Sequence, residues 1–424
     1  MSHAASYVLS QHDLYYAPNF TLSSKFELWD LNTDCCSWEG VTCDALGHVI
    51  GLDLNYKYLS GTFHSIFDLH HLQRLNLAGN NFNTTLVSYG FDKLQNLTHL
   101  NLSSSCFHGQ IPVEISFLTR LVSLDLSYQD GCYRRNGDGY DHLLTLRLEK
   151  PNFKTLTMNL RLLKELYLDG PLCSSLSRLH FLSKLILDEN PISYLPRNFL
   201  EISSGLVSLS LVNCNLSDHF PTEILLLPNI QSINISSNYD LVGQLPEFPS
   251  NNALRSLSLY DTNFSGKLPE SIGNLNFLRD LILDDCNFLG SIPSSIASLG
   301  LLLPEFSSNN ALRSLSLSGT NFSGKLPESI GKLMFLRDLT LYDCYLFGSI
   351  PWSIANLTHL VNMDLSDNNF SGLIPPFHRF GVPNLTYLNL EGNKLYGSIP
   401  SSLFTLPSLR GLTNPKVNPS TSKT

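Results

Sequence analysis

The amino-acid sequence predicts an α/β-type repeat solenoid: a right-handed curved rod in which each coil adds one short strand to a concave parallel β-sheet. Three observations predict it. About one residue in five of the 424 is Leu, only 15% are charged, and 26 Gly and 22 Pro recur between the leucines. Such a bias points to a repeated unit rather than an average enzyme domain. The motif L-x-x-L-x-L starts at Val49, Leu72, Leu97, Leu121, Leu143, Leu163, Leu182, Leu206, Ile230, Leu254, Leu278, Leu312, Leu336, Leu360 and Leu385, mostly 24 residues apart. The fuller unit, L-x-x-L-x-L-x-x-N-x-F-S-G-x-I-P, is written out at 360–375 as LVNMDLSDNNFSGLIP. The alternating segment is a short strand that turns its leucines to one side. One coil cannot bury that side, whereas stacked copies share a continuous core. The sequence therefore describes a leucine-rich-repeat solenoid.

The elements follow in order. Residues 1–25 carry no repeat, and Met1 to Gln11 show neither the positive n-region nor the apolar h-region of a signal peptide. Residues 26–48 form an N-terminal cap, with Trp29 and Trp38 covering the first coil. Residues 49–408 hold about fifteen repeats. A sixteenth start at Leu409 breaks off, and 409–424 are expected to be a broken repeat with a disordered tail. No apolar run approaches the ~18 residues of a membrane span.

Within each coil the Asn-type position faces inward and must donate to a carbonyl that would otherwise be buried unpaired. It is occupied by Asn80, Ser105, Asn190, Cys214, Asn238, Thr262, Cys286, Thr320, Cys344, Asn368 and Asn393. All can donate, a thiol weakly, so Cys214, Cys286 and Cys344 are expected to be ladder residues and not metal ligands. Residues 245–299 and 303–357 are a duplication with 12 differences in 55 positions, offset by 58. The ten residues beyond two periods are expected to bulge on the convex side and leave the sheet uninterrupted.

Several segments carry a resemblance to a known family. The ending G-x-I-P (GQIP at 109–112, GSIP at 290–293, 348–351 and 397–400) resembles the plant subclass of leucine-rich repeats. CCSWEGVTCD (35–44) followed by GHVIGLDL (47–54) resembles the plant N-terminal cap. LRLEKPNFKTLTMNLRLLKELYLDG (146–170) is similar to an early region of plant receptor-like proteins of the Cf and Ve disease-resistance type. The resemblance covers residues 35 to 410. It implies a glycoprotein of the plasma membrane or extracellular space, and a disulfide between Cys36 and Cys43. It also implies an extracellular peptide, protein or carbohydrate ligand, and a partner receptor kinase if the full-length form is membrane-anchored. Family members have a longer array, a C-terminal cap and a membrane helix, so the chain reads as truncated at both ends. Cys35 is left without the upstream cysteine it pairs with in the family.

Catalytic chemistry is not expected. No nucleotide, hydrolase, kinase or zinc motif is present, so neither a cofactor nor a metal is expected. A formal net charge of -9 argues against nucleic acid. Asp130, Asp138 and Asp141 are spaced wrongly for a calcium loop. Cys132 lies in the same insertion, where a bridge to Cys106 is open. What remains is surface: the side chains flanking the strand leucines, on the face solenoids use for binding. The candidates are Arg147, Tyr167, Lys184, Tyr260, Asp280, Asp284, Asp285, Asp338, Tyr342, Asp343, Asp364 and Tyr387. Eleven N-x-[ST] sequons are candidate glycosylation sites: Asn19, Asn83, Asn96, Asn101, Asn215, Asn234, Asn263, Asn321, Asn356, Asn369 and Asn384. The leading function is a ligand-binding ectodomain in defence or developmental signalling. The alternatives are a secreted inhibitor of microbial wall-degrading enzymes, or a non-functional gene fragment.

Overall fold

The computed structural model describes residues 29–30, 32–60, 63–82, 90–127, 133–135, 141–143, 146–147, 159–168, 179, 181–189, 192–195, 199–202, 205–299 and 312–413. Two compact units divide the chain. The first is Met1–Ile192 with Pro196–Leu206, and the second is Ser193–Leu195 with Val207–Thr424.

In unit 1 the cap strand Val41–Cys43 pairs antiparallel with Val49–Asp53. Arg74–Asn76, His99–Asn101, Ser123–Asp125, Glu165–Tyr167 and Lys184–Ile186 then follow in parallel. Trp38 is 5% exposed and stacks on Trp29 at 4.9 Å between ring centroids. Cys36 and Cys43 are joined by a disulfide, and Cys35 is free. Cys106 is also disulfide-bonded, to a partner outside the described residues.

The repeat starting at Leu143 departs from expectation. Ser123–Asp125 pairs directly with Glu165–Tyr167, and Leu126 N–H donates to the Tyr167 carbonyl at 2.9 Å. No sheet edge is left there for another strand. Asp141–Leu143 instead closes a hairpin with Tyr133–Arg135, and Leu146–Arg147 pairs with Gly109–Gln110 in a small separate sheet.

Among its described residues unit 2 stacks nine parallel strands: Ser208–Ser210, Ser232–Asn234, Ser256–Ser258, Asp280–Ile282, Ser314–Ser316, Asp338–Thr340, Asn362–Asp364, Tyr387–Asn389 and Gly411–Thr413. Asp280 registers with Ser314, so the off-period duplication leaves the sheet unbroken. The ten extra residues fall around 300–311, a stretch outside the described set. The run after Leu409 supplies the ninth strand.

A second parallel sheet of eight strands, Ser217–His219 to Lys394–Leu395, runs beside the first. The Gly of the G-x-[IL]-P ending closes its strands at positive φ, +97° at Gly324 and +84° at Gly348, where other residues are strained. The following Pro is the last extended residue before a short 3-10 helix, as at Pro293 and Pro351; its fixed φ suits that place.

Between the sheets the leucines are almost fully buried, and Phe264, Phe288, Phe322 and Phe370 repeat beside them. Each buried side chain contributes about 2 kcal/mol of transfer free energy. The inward ladder closes the remaining polar groups. Asn238 donates to the carbonyls of Leu211 (2.8 Å) and Ile235 (2.7 Å), and accepts from the N–H groups of Cys214 (2.9 Å) and Leu216 (3.0 Å). Asn80 serves unit 1 in the same way. Cys286 donates its thiol to the Leu259 carbonyl at 3.0 Å and Cys344 to the Leu317 carbonyl at 3.3 Å. Burial pushes these thiols up to about 11 and about 12, which keeps them protonated as donors.

Candidate functional site

Because side chains alternate along a strand, the residues either side of each buried leucine face outward. Parallel register then sets equivalent positions in rows across the strands. In unit 1 one row reads Gly51, Arg74, His99, Ser123, Glu165 and Lys184; the next reads Asp53, Asn76, Asn101, Asp125, Tyr167 and Ile186. The first five strands and the cap strand enclose a hollow of about 510 Å³. Gly40, Thr42 and Gly51 close one end, where the Asp53 carbonyl presses on Gly40 and the Thr42 side chain on Gly51, and Ser123 stands beside Glu165.

The second row has a structural duty at its inner oxygen. Asn76, Asn101 and Asp125 each accept, through Oδ1, the N–H two residues on, at 3.1, 2.9 and 3.1 Å, a local turn that Asn and Asp favour. Burial, opposed by Ser127, pushes the Asp125 carboxyl up from its ordinary value. Burial and the Arg74 charge push the His99 imidazole down, against Glu165.

Tyr167 lines the hollow, and Lys184 lies over its ring at 5.0 Å. Arg147 does not join them: it sits in the small sheet opposite Gln110. Asp53, Arg74, Asn76, His99, Asn101, Ser123, Asp125 and Glu165 line the hollow with Tyr167. Of these eight, sequence reasoning marked only Asn101, as a sequon.

Unit 2 presents a different face. Asp280 and Asp338 share a row, and Asn362 Nδ2 donates to Asp338 Oδ1 at 2.6 Å. Burial pushes the Asp280 carboxyl up, against Arg279 and Arg313. Tyr387 follows in the same row. Asp364 is partly committed to structure: its Oδ1 accepts from Ser366 N–H (2.9 Å) and Oγ (2.6 Å), and its Oδ2 from Asn389.

Beyond the strand ends Tyr260, Asp284 and Tyr342 occupy one column, and Asp261, Asp285 and Asp343 the next. Tyr260 is 41% exposed, Tyr342 40% and Tyr387 37%. The Asp261 charge, with burial and Asp285 behind it, pushes the Tyr260 phenol up; at Tyr342 burial leads and the charges of Asp285 and Asp284 follow. Asp284 is turned in. It is 9% exposed and accepts from Ser316 Oγ at 2.6 Å and Ser318 N–H at 2.7 Å. Its acceptors serve the next coil, where the smaller Ser side chains leave the room. Sequence reasoning also missed a row of four arginines, Arg255, Arg279, Arg313 and Arg337, whose backbones bond in succession at 2.7–2.8 Å. The signal was visible in LRSLSL and LRDLIL, in the residue that follows the first leucine.

The sequons scatter. Asn101 and Asn234 stand in strands on the outward face. Asn263, Asn321 and Asn369 begin or lie in strands of the second sheet, and Asn215, Asn356 and Asn384 are exposed. Asn96 accepts from Arg120 at 2.7 Å. Asn19 and Asn83 lie outside the described residues.

Comparison with known proteins agrees with this geometry. The leucine rich repeat N-terminal domain matches residues 18–44. The leucine rich repeat family matches 71–94, 96–118, 253–275, 277–299, 311–333, 359–379 and 384–406. Receptor-like protein 6 of Arabidopsis thaliana is 40% identical over 256 residues, 59% of this chain and 23% of its own. This chain is a leucine-rich-repeat solenoid, similar over that stretch to the plant receptor-like proteins. Receptor-like protein Cf-9 of Solanum pimpinellifolium is 33% identical over 253 residues, 58% of this chain and 25% of its own. The chain thus spans about a quarter of the length of these relatives. Among solved structures, a TDR receptor matches with a TM-score of 0.68 at 26% identity, over 86% of this chain and 64% of that one. The plant peptide hormone receptor RGFR1 in complex with RGF2 matches in fold, with a TM-score of 0.62 at 24% identity over 88% and 67%. Among the described residues no helix is long and apolar enough to cross a membrane.

Proposed function

We propose that the chain is the ligand-sensing region of a plant cell-surface receptor-like protein in defence or developmental signalling. It meets an extracellular ligand on the outward faces of its long sheets, and a partner receptor kinase carries the signal on. The observation that carries this reading is a set of large outward side chains with no task in the fold: Tyr260, Tyr342 and Tyr387 remain more than a third exposed. Aromatic side chains of this kind anchor protein and peptide ligands at low entropic cost. The sequons, as candidate glycan sites, and the Cys36–Cys43 disulfide, which suits an oxidising compartment, support an extracellular setting.

The test uses the full chain secreted behind an added signal peptide, with fractionated extracellular peptides from challenged plant tissue as probes. The expected result is saturable binding of a fraction, weakened at least tenfold by the triple substitution Tyr260→Ser, Tyr342→Ser, Tyr387→Ser. No binding by any fraction, or binding untouched both by this triple and by substitutions in the unit 1 hollow, overturns the reading.

A further inference from the structure

The hollow on unit 1 is polar and two-signed, and some of the groups that line it have no partner among the described residues. Arg74, His99, Ser123 and Glu165 follow one another in register. Three strand spacings of about 4.8 Å separate the first from the last, roughly 14 Å. At one end, the Arg74 guanidinium has neither a hydrogen bond nor an ion pair among the described residues. At the other end, Glu165 accepts from Ser123 Oγ on Oε2 at 3.0 Å and keeps Oε1. Lys184, next in the row, is held over the Tyr167 ring instead. In the adjacent row the Oδ1 atoms of Asn76 and Asn101 are engaged by backbone N–H groups. Their Nδ2 groups remain as donors in a hollow that both residues line.

We propose that this hollow binds an extended peptide lying across the strands. An acidic side chain of the peptide meets Arg74, a basic side chain four residues away meets Glu165, and peptide carbonyls accept from Asn76 and Asn101. Four extended residues span about 14 Å at 3.3–3.6 Å each, which matches the row. Charge-assisted pairs fix the two ends, and the amide donors between them suit a backbone that offers a carbonyl at every residue. An acidic oligosaccharide satisfies Arg74 alone and leaves Glu165 facing like charge. The proposal rests on the receptor reading above and narrows its ligand. Arg74, Glu165, Asp53 and Asp125 are the charged groups that share the hollow with His99. A bound carboxylate beside Arg74 favours protonated His99, so the peptide binds more tightly as pH falls below the ordinary imidazole value of 6.5.

The test uses the full chain made in an oxidising compartment without N-glycosylation, so that the sequon at Asn101 does not fill the hollow. The probes are acetyl-Asp-Gly-Gly-Gly-Lys-amide, its neutral analogue acetyl-Asn-Gly-Gly-Gly-Gln-amide, and trigalacturonate, followed by ligand-observed NMR. The charged pentapeptide is expected to bind at least tenfold more tightly than the neutral one. Arg74→Gln and Glu165→Gln are each expected to weaken it at least fivefold, and the paired exchange Arg74→Glu with Glu165→Arg to restore it. Equal affinity for the two peptides, indifference to both single substitutions, or trigalacturonate binding that survives Glu165→Gln overturns the proposal. If hollow variants bind the extracellular fraction normally while the tyrosine triple does not, this site falls and the receptor reading stands.

Discussion

The two units share one scaffold and differ in what they hang on it. In unit 1 the outward row changes chemistry at every strand: Gly51, Arg74, His99, Ser123, Glu165. In unit 2 it opens on three serines, Ser208, Ser232 and Ser256, then alternates Asp280, Ser314, Asp338 beside the arginine row. The inward ladder does not vary in this way, because each coil presents the same buried carbonyls to be met. Inward chemistry is fixed by backbone accounting, whereas the fold fixes outward chemistry only at an Asx turn such as that of Asn76. A mixed row around small residues makes a hollow; a regular row of polar residues makes an open striped surface. Binding chemistry is therefore to be sought where neighbouring coils disagree.

The largest expected effect tests whether the ladder really is common to both units. Asn80→Ala orphans the buried Leu54 carbonyl and the N–H groups of Lys57 and Leu59, while the Leu77 carbonyl keeps Ser105 Oγ; Asn238→Ala orphans the Leu211 and Ile235 carbonyls and the N–H groups of Cys214 and Leu216. At about 1–3 kcal/mol for each unpaired group, with partial relaxation, a local loss of about 4 kcal/mol is expected in both units. Cys286→Ser, which keeps a donor, should lose less than about 1 kcal/mol. Hydrogen exchange on the flanking strands reads each unit separately. A mild effect in one unit and a large effect in the other would break the comparison.

The same contrast explains what could be read in advance. The repeats, the ladder and the G-x-I-P ending were legible because each recurs at a fixed spacing for a reason that acts within one coil, whereas the second sheet was not anticipated. Leu143 misled because the strand pattern is local, whereas sheet membership depends on whether an edge is free; Tyr167 had already taken it. Asp284 was assigned outward by alternation, yet it lies past the strand end, where the chain turns and Ser316 and Ser318 capture it. The hollow was illegible for a different reason. It is set by which side chains stand side by side, and that follows from the coil count and from the direct pairing of Ser123–Asp125 with Glu165–Tyr167. No motif records a shape of that kind.

At the cap the expected effect is intermediate. Cys36→Ser or Cys43→Ser opens the bridge that holds Trp38 and the cap strand against the first coil. It should lower the stability of the adjoining coils by about 2–3 kcal/mol in the loop-entropy picture. Cys35→Ser, on a free cysteine, should leave them unchanged and remove a thiol able to scramble the bridge. Proteolysis between residues 40 and 80, followed by mass spectrometry, compares the three. Equal damage from Cys35→Ser would refute this pairing, while damage that spreads into unit 2 would show that the cap supports more than the hollow's end wall.

The smallest expected effect is the most discriminating, because it separates charge from geometry at one position in the hollow. Asp125 holds the Oδ1 place that Asn76 and Asn101 hold on the preceding strands, accepting from Ser127 N–H at 3.1 Å and Oγ at 2.6 Å. Burial raises its folded pKa above the ordinary 3.8. The folded form therefore holds the proton more tightly than the unfolded chain does. The stability this group contributes is present below 3.8 and is lost as pH rises through the raised value. Asp125→Asn keeps the acceptor and removes the charge, so it should be at least as stable as the parent at pH 7, with a flatter stability profile across the acidic range. Asp125→Ala removes the acceptor as well and should lose about 1–2 kcal/mol, because the Ser127 N–H is left unpaired. Denaturation midpoints for the three proteins at pH 4 and pH 7 decide the matter. If Asn and Ala destabilise equally, the carboxylate charge itself supports the wall of the hollow, and the neutral row of amides inferred from Asn76 and Asn101 does not extend to this strand.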